Sequence, residues 1–352
     1  MALALLALGC GSPPPAAYSR ETDAAQTARK QGRHRLAAQH YERAAELAKQ
    51  PRDAEEARYR AADSYERAGD FARAEAMYRA LAAPGPSSER QARADFALAQ
   101  LLERTGREAA GQEQLVAAIR KHPSSGLARD ALERHLRYLR QRGGSEAALA
   151  YLAGETAALS ATELAEALTY RRARELDDAG RTAEARDAYL ACAARFPYPG
   201  GAYWDDALMR AAEKELALGA PERAVAHLSR MLAEQEDASI MGSYERARYA
   251  EAQLELGRIY RDALHDPSRA RAELRKVWLK HPKSSLVDDA LFEEALLARS
   301  VGDVAGTCSP LSIIVTQVPT SRYAGCAHLL CAQLTPAPNA CHDYIKRAAG
   351  LE

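Results

Sequence analysis

The amino-acid sequence predicts an all-α protein built as a stack of paired helices. Five glycines follow one another at intervals of 37 residues: Gly32, Gly69, Gly106, Gly143 and Gly180. A small residue lies five positions after each glycine, and a tyrosine or leucine lies four positions further on. A fixed period of this length indicates repeated supersecondary units that bury their faces against one another. Aromatic residues make up only 6% of the chain, and Ala, Leu, Arg and Glu dominate it, which favours helices.

The second unit, residues 57–84, shows why each unit is a pair of antiparallel helices. Its first half places Ala62 on the buried face of a helix that Gly69 ends, because glycine accepts a left-handed backbone just past a helix end. Its second half places Ala74 and Tyr78 at helical spacing. The two alanines mark where the paired helices approach most closely.

Later units follow the same pattern with a drifting period. A sixth unit contains Gly219, a seventh contains Gly257, and a degenerate eighth contains Gly302. The predicted stack covers residues 21–320, and residues 321–352 are predicted to form cysteine-containing capping helices at its end.

This pattern resembles the tetratricopeptide repeat, in which a glycine turn joins two helices that carry small and aromatic residues at fixed places. The resemblance covers about residues 20–335 and implies a right-handed helical solenoid of about eight repeats. It further implies a protein–protein interaction scaffold. The chain has no G-x-S-x-G, phosphate-binding glycine loop or H-E-x-x-H motif, so we expect no enzymatic activity, no cofactor and no small-molecule substrate.

A second recurring string separates neighbouring units. His122-Pro123-Ser124-Ser125 and His281-Pro282-Lys283-Ser284-Ser285 are each followed by an Asp-Ala-Leu sequence at the start of the next helix. Proline stops one helix, serine caps the next and aspartate faces the helix dipole. The string resembles repeats of periplasmic envelope proteins, namely outer-membrane-protein assembly lipoproteins and periplasmic partners of the Tol–Pal system. The alternative is that it serves only as helix punctuation.

The N-terminus resembles a bacterial lipoprotein signal. Residues 1–10 form a short apolar run that ends at Cys10, and residues 11–20 contain three consecutive prolines. The resemblance implies that Cys10 is lipidated and that the proline-rich segment is an extended tether. Because Gly11-Ser12 lacks the aspartate that signals inner-membrane retention, the resemblance implies an outer-membrane anchor and a chain that faces the periplasm. The alternative is an apolar N-terminus with an incidental cysteine.

Formal charge gives no sign of a nucleic-acid partner. Lys+Arg and Asp+Glu both number 48, so the net charge is zero. The resemblance to envelope proteins implies that the partners are envelope proteins and that the chain contacts the membrane through the lipid. Two other functions remain open, which are a cytoplasmic adaptor of the co-chaperone kind and a helical accessory module of a peptidoglycan-processing complex.

A column on the first helices is the candidate contact surface. In proteins of the resembled family these helices line the concave face, and the matching positions here are Tyr59, Phe96, Glu133, Tyr170, Met209 and Phe292. Aromatic side chains in such a column supply large contact area to a partner segment. Arg137, Arg140 and Arg174 lie nearby as potential donors to a carboxylate. The alternative is that the column packs between neighbouring helices.

Four cysteines cluster near the C-terminus: Cys308, Cys326, Cys331 and Cys341. An even, clustered set in a chain whose N-terminus resembles an export signal predicts two disulfides that stabilise the end of the stack. Cys326 and Cys331 are expected on one helix with about 7.5 Å of rise between them, too far apart to pair. The remaining pairings are Cys308–Cys326 with Cys331–Cys341, favoured for its shorter loops, and Cys308–Cys331 with Cys326–Cys341. Metal binding with His328 and His342 is the alternative.

Overall fold

The described residues of the computed structural model, 14–82, 88–234 and 248–351, contain helices and no β-strand. The all-α fold that the sequence predicts is therefore confirmed. The chain forms two compact units, of which the first ends at Ala165 and the second begins at Glu166. In these described ranges no helix is both long and apolar enough to cross a membrane. Cys10 and the predicted signal at residues 1–10 lie outside the described residues.

Unit 1 consists of helices that alternate in direction along the chain. They are α1 (Ala16–Lys30), α2 (His34–Leu47), α3 (Pro51–Arg67), α4 (Phe71–Leu81), α5 (Glu89–Arg104), α6 (Glu108–Lys121) and α7 (Gly126–Ala158). The first helix begins at Ala16, so residues 16–20 of the predicted tether are helical. The Tyr18 hydroxyl donates a 3.3 Å hydrogen bond to the Asp53 carbonyl, which fastens the start of α1 to α3.

Unit 2 continues with paired helices and ends in short ones. They are α8 (Ala165–Asp178), α9 (Thr182–Arg195), α10 (Trp204–Ala217), α11 (Pro221–Ala233), α12 (Tyr249–Asp262), α13 (Pro267–Lys280), α14 (Val287–Ser300), α15 (Val304–Gln317), α16 (Ala327–Leu330) and α17 (Asp343–Ala348). A 3₁₀ turn, Ala324–Cys326, precedes α16.

The turn inside a helix pair has one geometry, which Gly69 illustrates. Its φ of 77° is in the left-handed region that favours glycine. The Gly69 amide donates to the Glu66 carbonyl and the Asp70 amide donates to the Tyr65 carbonyl, at 3.0 and 2.9 Å. These bonds satisfy carbonyls that the end of α3 leaves open. Asp70 also caps α4 by accepting from the Arg73 amide.

Two glycines that the repeat pattern singles out do not form this turn. Gly143 has φ −142°, and the adjacent Gly144 takes the positive φ of 67° at the kink within α7. Gly257 lies inside α12, and His265, with φ 51°, turns the chain before α13. A Cβ on Gly257 would lie 2.6 Å from Leu274 Cδ2. Gly257 therefore serves as the small residue of its helix pair, the place that Ala62 takes in the second unit.

Close approach at small residues is the packing rule within each pair. Ala62 and Ala74 are completely buried where α3 meets α4. In the next pair Gly111 replaces the alanine, and a Cβ there would lie 2.6 Å from Glu103 Cγ and 2.9 Å from the Ala99 carbonyl oxygen. The larger repeat positions fill the space around these contacts and are exposed by 1% or less: Tyr41, Tyr78, Leu115, Leu152 and Tyr189.

The four C-terminal cysteines form two disulfides. Cys308 pairs with Cys331, and Cys326 pairs with Cys341. The pairing that we favoured for its shorter loops is therefore wrong, and the second pairing is present. The two bonds hold α15 and the C-terminal tail against the apolar core of unit 2, to which Cys326 and Cys331 themselves belong.

The path of the tail explains this pairing. Cys326 and Cys331 do not share one regular helix, because the 3₁₀ turn ends at Cys326 and Cys331 has an extended backbone with φ −132° and ψ 100°. The tail then returns across the 3₁₀ turn, where a Cβ on Gly325 would clash with the Asn339 carbonyl. This return carries Cys341 to Cys326, so the direction of the chain decides the pairing and loop length does not.

The packing rule predicts opposite effects for two Gly→Ala changes. Gly111→Ala should lower the free energy of unfolding by about 1–3 kcal/mol, since its Cβ enters occupied space. Gly154→Ala in α7 should raise it by about 0.5–1 kcal/mol, because a Cβ there meets no atom within 4 Å and alanine favours the helix. Urea unfolding followed by circular dichroism measures both. An equal effect of the two substitutions would contradict close packing at Gly111.

Candidate functional site

The open surface that the predicted column reaches is a groove of about 580 Å³ on the inner side of unit 1. Helices α3, α5 and α7 place Tyr59, Phe96 and Glu133 there, so the 37-residue spacing brings these three residues to one surface. We call it the inner groove. Its lining residues are Tyr59, Arg93, Phe96, Ala97, Gln100, Leu115, Leu127, Asp130, Ala131, Glu133, Arg134 and Arg137.

The aromatic residues of the inner groove differ in exposure. Tyr59 is half-buried and packs against Tyr78, with ring centroids 5.9 Å apart. Phe96 is only 7% exposed and forms the floor. An occupant of the groove would therefore contact Tyr59 more than Phe96.

In unit 2 the predicted column is buried, which corrects our expectation of an open contact surface there. Tyr170, Met209 and Phe292 are 3–4% exposed. The Tyr203 ring stacks on Tyr170 at 4.4 Å, and the Tyr323 ring stacks on Phe292 at 4.1 Å. Tyr170 and Phe292 are each covered because a tyrosine that follows their own helix pair, Tyr203 after α9 or Tyr323 after α15, folds back over them.

Ion pairs link the first helices of unit 2 to one another. Asp206 on α10 accepts hydrogen bonds from Tyr170 on α8, from Arg210 and, at 2.6 Å, from Arg248. Burial opposes ionisation of Asp206, but these donors outweigh it and lower the pKa of its carboxyl. Glu293 on α14 likewise accepts from Arg258 of α12 at 2.6 Å. On the inner side of unit 2, these charged side chains thus pair with one another.

The three predicted arginines lie in different surroundings. Arg137 lines the inner groove, and among the residues that the structure describes it has no ion-pair partner. Arg140 is exposed on the same helix but is not among the lining residues. Arg174 is half-buried on α8 of unit 2. Only Arg137 thus belongs to the groove.

Sequence reasoning missed Arg134, which lines the same groove. Its Nη2 lies 3.6 Å from Glu103 Oε1, too far for a hydrogen bond, and its Nε and Nη2 atoms are buried without a hydrogen-bond partner among the described residues. Its position one turn before Arg137 on α7 was the available signal. Arg93, across the groove on α5, is 3.8 Å from its acidic neighbour Glu89.

A buried polar chain behind the groove reaches the carboxylate that Arg134 faces. The Gln112 carboxamide donates to Glu103 Oε1 at 2.7 Å, and its oxygen is 2.7 Å from Nδ1 of His135. Gln112 therefore donates to the same carboxylate oxygen that Arg134 faces. Burial raises the pKa of the Glu103 carboxyl in spite of Arg134 and Gln112.

Two further grooves continue the inner groove along unit 1. A groove of about 660 Å³ between α1 and α3 shares Tyr59 with it. A groove of about 440 Å³ beside α6 shares Arg134 and Arg137 with it. The three form one elongated surface that crosses α1, α3, α5 and α7. In the described residues no group of three His, Cys, Asp or Glu side chains is arranged to hold a metal ion.

Comparison with known families identifies the repeat. Residues 56–83 and 251–284 match the family model of the tetratricopeptide repeat. The first match contains most of the α3–α4 pair and the second contains most of the α12–α13 pair. These two segments are tetratricopeptide repeats. Among curated proteins, none matches the chain significantly.

Several solved structures are similar to the chain at low identity. The C-terminal part of a TPR repeat-containing protein from Cytophaga hutchinsonii is 13% identical, with a TM-score of 0.45 over 76% of this chain and 98% of that one. PilW, a widely conserved type IV pilus biogenesis factor, is 18% identical, with a TM-score of 0.39 over 65% of this chain and 94% of that one. The apo form of RapI is 11% identical, with a TM-score of 0.43 over 90% and 94%.

The environment of His135 predicts a pH effect on stability. Burial lowers the pKa of His135 to about 4, and Arg120 reinforces the lowering while Glu155 opposes it. Because the unfolded chain binds this proton near pH 6.5, the stabilisation is complete above that pH and is lost as the pH falls towards 4. At about pH 5 the loss should be on the order of 2 kcal/mol.

Urea unfolding at about pH 8 and about pH 5 measures this loss, with His135→Gln as the matched variant. The substitution lowers stability at both pH values but should shrink the difference between them. An unchanged pH difference in His135→Gln would contradict a neutral buried His135.

Proposed function

We propose that this chain is a non-enzymatic interaction scaffold that binds a peptide segment of another protein in the inner groove of unit 1. Its tetratricopeptide repeats support a protein–protein interaction role. The observation that carries the proposal is the inner groove itself, where half-buried Tyr59 and exposed Leu127 lie beside Arg93, Arg134 and Arg137. Arg93 and Arg134 are 3.8 and 3.6 Å from their acidic neighbours, beyond hydrogen-bond distance. Apolar contact area combined with open donors is typical of recognition surfaces.

The shape of the surface favours a peptide over a small molecule. Three grooves share lining residues along one side of unit 1, so the surface is long and open. Small-molecule sites enclose most of their ligand in a single cleft. An elongated segment would contact side chains from successive first helices, whose repeat spacing fixes the distances between them.

We further propose that the scaffold is anchored at the bacterial outer membrane through lipidated Cys10 and faces the periplasm. The sequence of residues 1–12 supports this location. The two disulfides of unit 2 are consistent with an oxidising compartment. The start of α1 at Ala16 leaves only a short link between Cys10 and the first repeat, so unit 1 would lie near the membrane surface.

Filling the groove should abolish peptide binding. Short random peptides displayed within a carrier protein are selected on the wild-type protein, and binders are measured by fluorescence anisotropy. Ala97→Trp places a large ring in the inner groove and should weaken binding roughly tenfold or more. Ala110→Trp, at an exposed position of α6 that does not line it, is the matched control and should bind normally. Circular dichroism should show both variants folded.

Failure to select any peptide that distinguishes Ala97→Trp from Ala110→Trp would contradict peptide binding in this groove. Binders that both variants retain would point to another surface of the protein.

Intact mass tests the proposed location. Protein purified from membranes of its native host should begin at a diacylated or triacylated Cys10, and its four C-terminal cysteines should resist alkylation without reductant. An unprocessed N-terminus with all six cysteines alkylated would contradict the envelope location and favour the cytoplasmic adaptor.

A further inference from the structure

We propose that the segment bound in the inner groove is acidic, with aspartate or glutamate side chains flanking an apolar one. This inference rests on the proposed function and names the chemistry of the partner. The groove offers apolar contact through Tyr59 and Leu127, and it offers guanidinium donors through Arg93, Arg134 and Arg137.

The donors are distinguished by their longer distances to acidic neighbours. The other two arginines that line the connected grooves of unit 1 lie within 3.2 Å of a carboxylate, Arg29 of Asp63 and Arg60 of Glu56. Arg93 and Arg134 are 3.8 and 3.6 Å from theirs, and Arg137 has none among the described residues. The least neutralised arginines of this surface therefore converge on one groove.

The spacing of the donors suits side-chain carboxylates of a bound segment. Arg134 and Arg137 are three residues apart on α7, which places them on neighbouring turns of one face. The exposed Arg137 guanidinium can bind a carboxylate in a bidentate manner, whereas Arg134, whose Nε and Nη2 are buried, offers its Nη1 donors. Arg93 approaches from α5 on the opposite side of the groove. Acidic groups on both sides of an apolar side chain would meet both sets of donors.

The acidic lining residues set the orientation of the segment. Asp130 and Glu133 lie one turn before Arg134 and Arg137 on α7. Their charges repel an acidic segment at the beginning of that helix and leave the attraction concentrated at Arg134, Arg137 and Arg93. The same carboxylates disfavour a partner that is acidic along its whole length, which is why an apolar residue between acidic ones fits best.

The peptide selection described above also tests the chemistry. Carrier display gives the selected segments no free terminal carboxylate, so enrichment reports side chains. Wild-type selection should enrich aspartate and glutamate around an apolar residue.

The double substitution Arg134→Gln with Arg137→Gln should weaken binding of the selected peptides at least tenfold. Replacing the acidic residues of the peptides by asparagine or glutamine should weaken binding to the same extent. Arg129→Gln, an exposed arginine of α7 that does not line the groove, is the matched control. Raising the salt concentration should weaken binding by the wild type and abolish the difference between variants.

Each outcome is decisive. The inference is supported if the selected peptides are enriched in acidic residues, bind the double Arg variant weakly and bind Arg129→Gln normally. The inference is overturned if the selected peptides lack acidic residues or bind the double Arg variant as well as the wild type. If Ala97→Trp still excludes such peptides, the proposal of peptide binding in the groove stands. If the selection yields no peptide whose binding depends on the groove, both proposals are overturned. Unchanged circular dichroism and melting of the Arg variants separates loss of binding from loss of fold.

Discussion

The structure depends on the distance at which the two helices of each pair approach. That distance is set where a side chain is reduced to a methyl group or a hydrogen, as at Ala62 with Ala74, at Gly111 and at Gly257. Once the backbones are this close, a tyrosine or leucine from the second helix fills the remaining space. Repetition of this contact places the first helices of successive pairs side by side, and the surface that they form follows from packing in the core.

The two units use this shared surface differently. In unit 2 the residues at the column positions are covered by stacked rings, and charges such as Asp206 and Glu293 join one first helix to the next. In unit 1 the corresponding surface stays open, and Tyr59 is only half-buried. A surface that satisfies its own donors gains rigidity, whereas one that leaves donors unpaired retains affinity for an external acceptor.

The repeat period allows the helices, their pairing and the buried positions to be predicted, because each depends on local spacing. It does not predict exposure of the column, since coverage of Tyr170 and Phe292 depends on where Tyr203 and Tyr323 fold back. The turn at Gly144 instead of Gly143 reflects a local choice between adjacent glycines. The disulfide pairing depends on the return of the tail over Gly325, a non-local feature that loop length does not encode.

The surroundings of Arg134 are set by hydrogen bonds in the core. Neutral His135 is 6% exposed and donates from Nδ1 to the Gln112 oxygen, because a buried ring nitrogen without a partner is costly. Gln112 is thereby oriented so that its amino group donates to Glu103. Glu103 Oε1 thus accepts from Gln112, while the Arg134 guanidinium stays 3.6 Å from the same oxygen at the groove wall. Arg134 thus lies beside a buried hydrogen-bond chain that joins α5, α6 and α7 without including it.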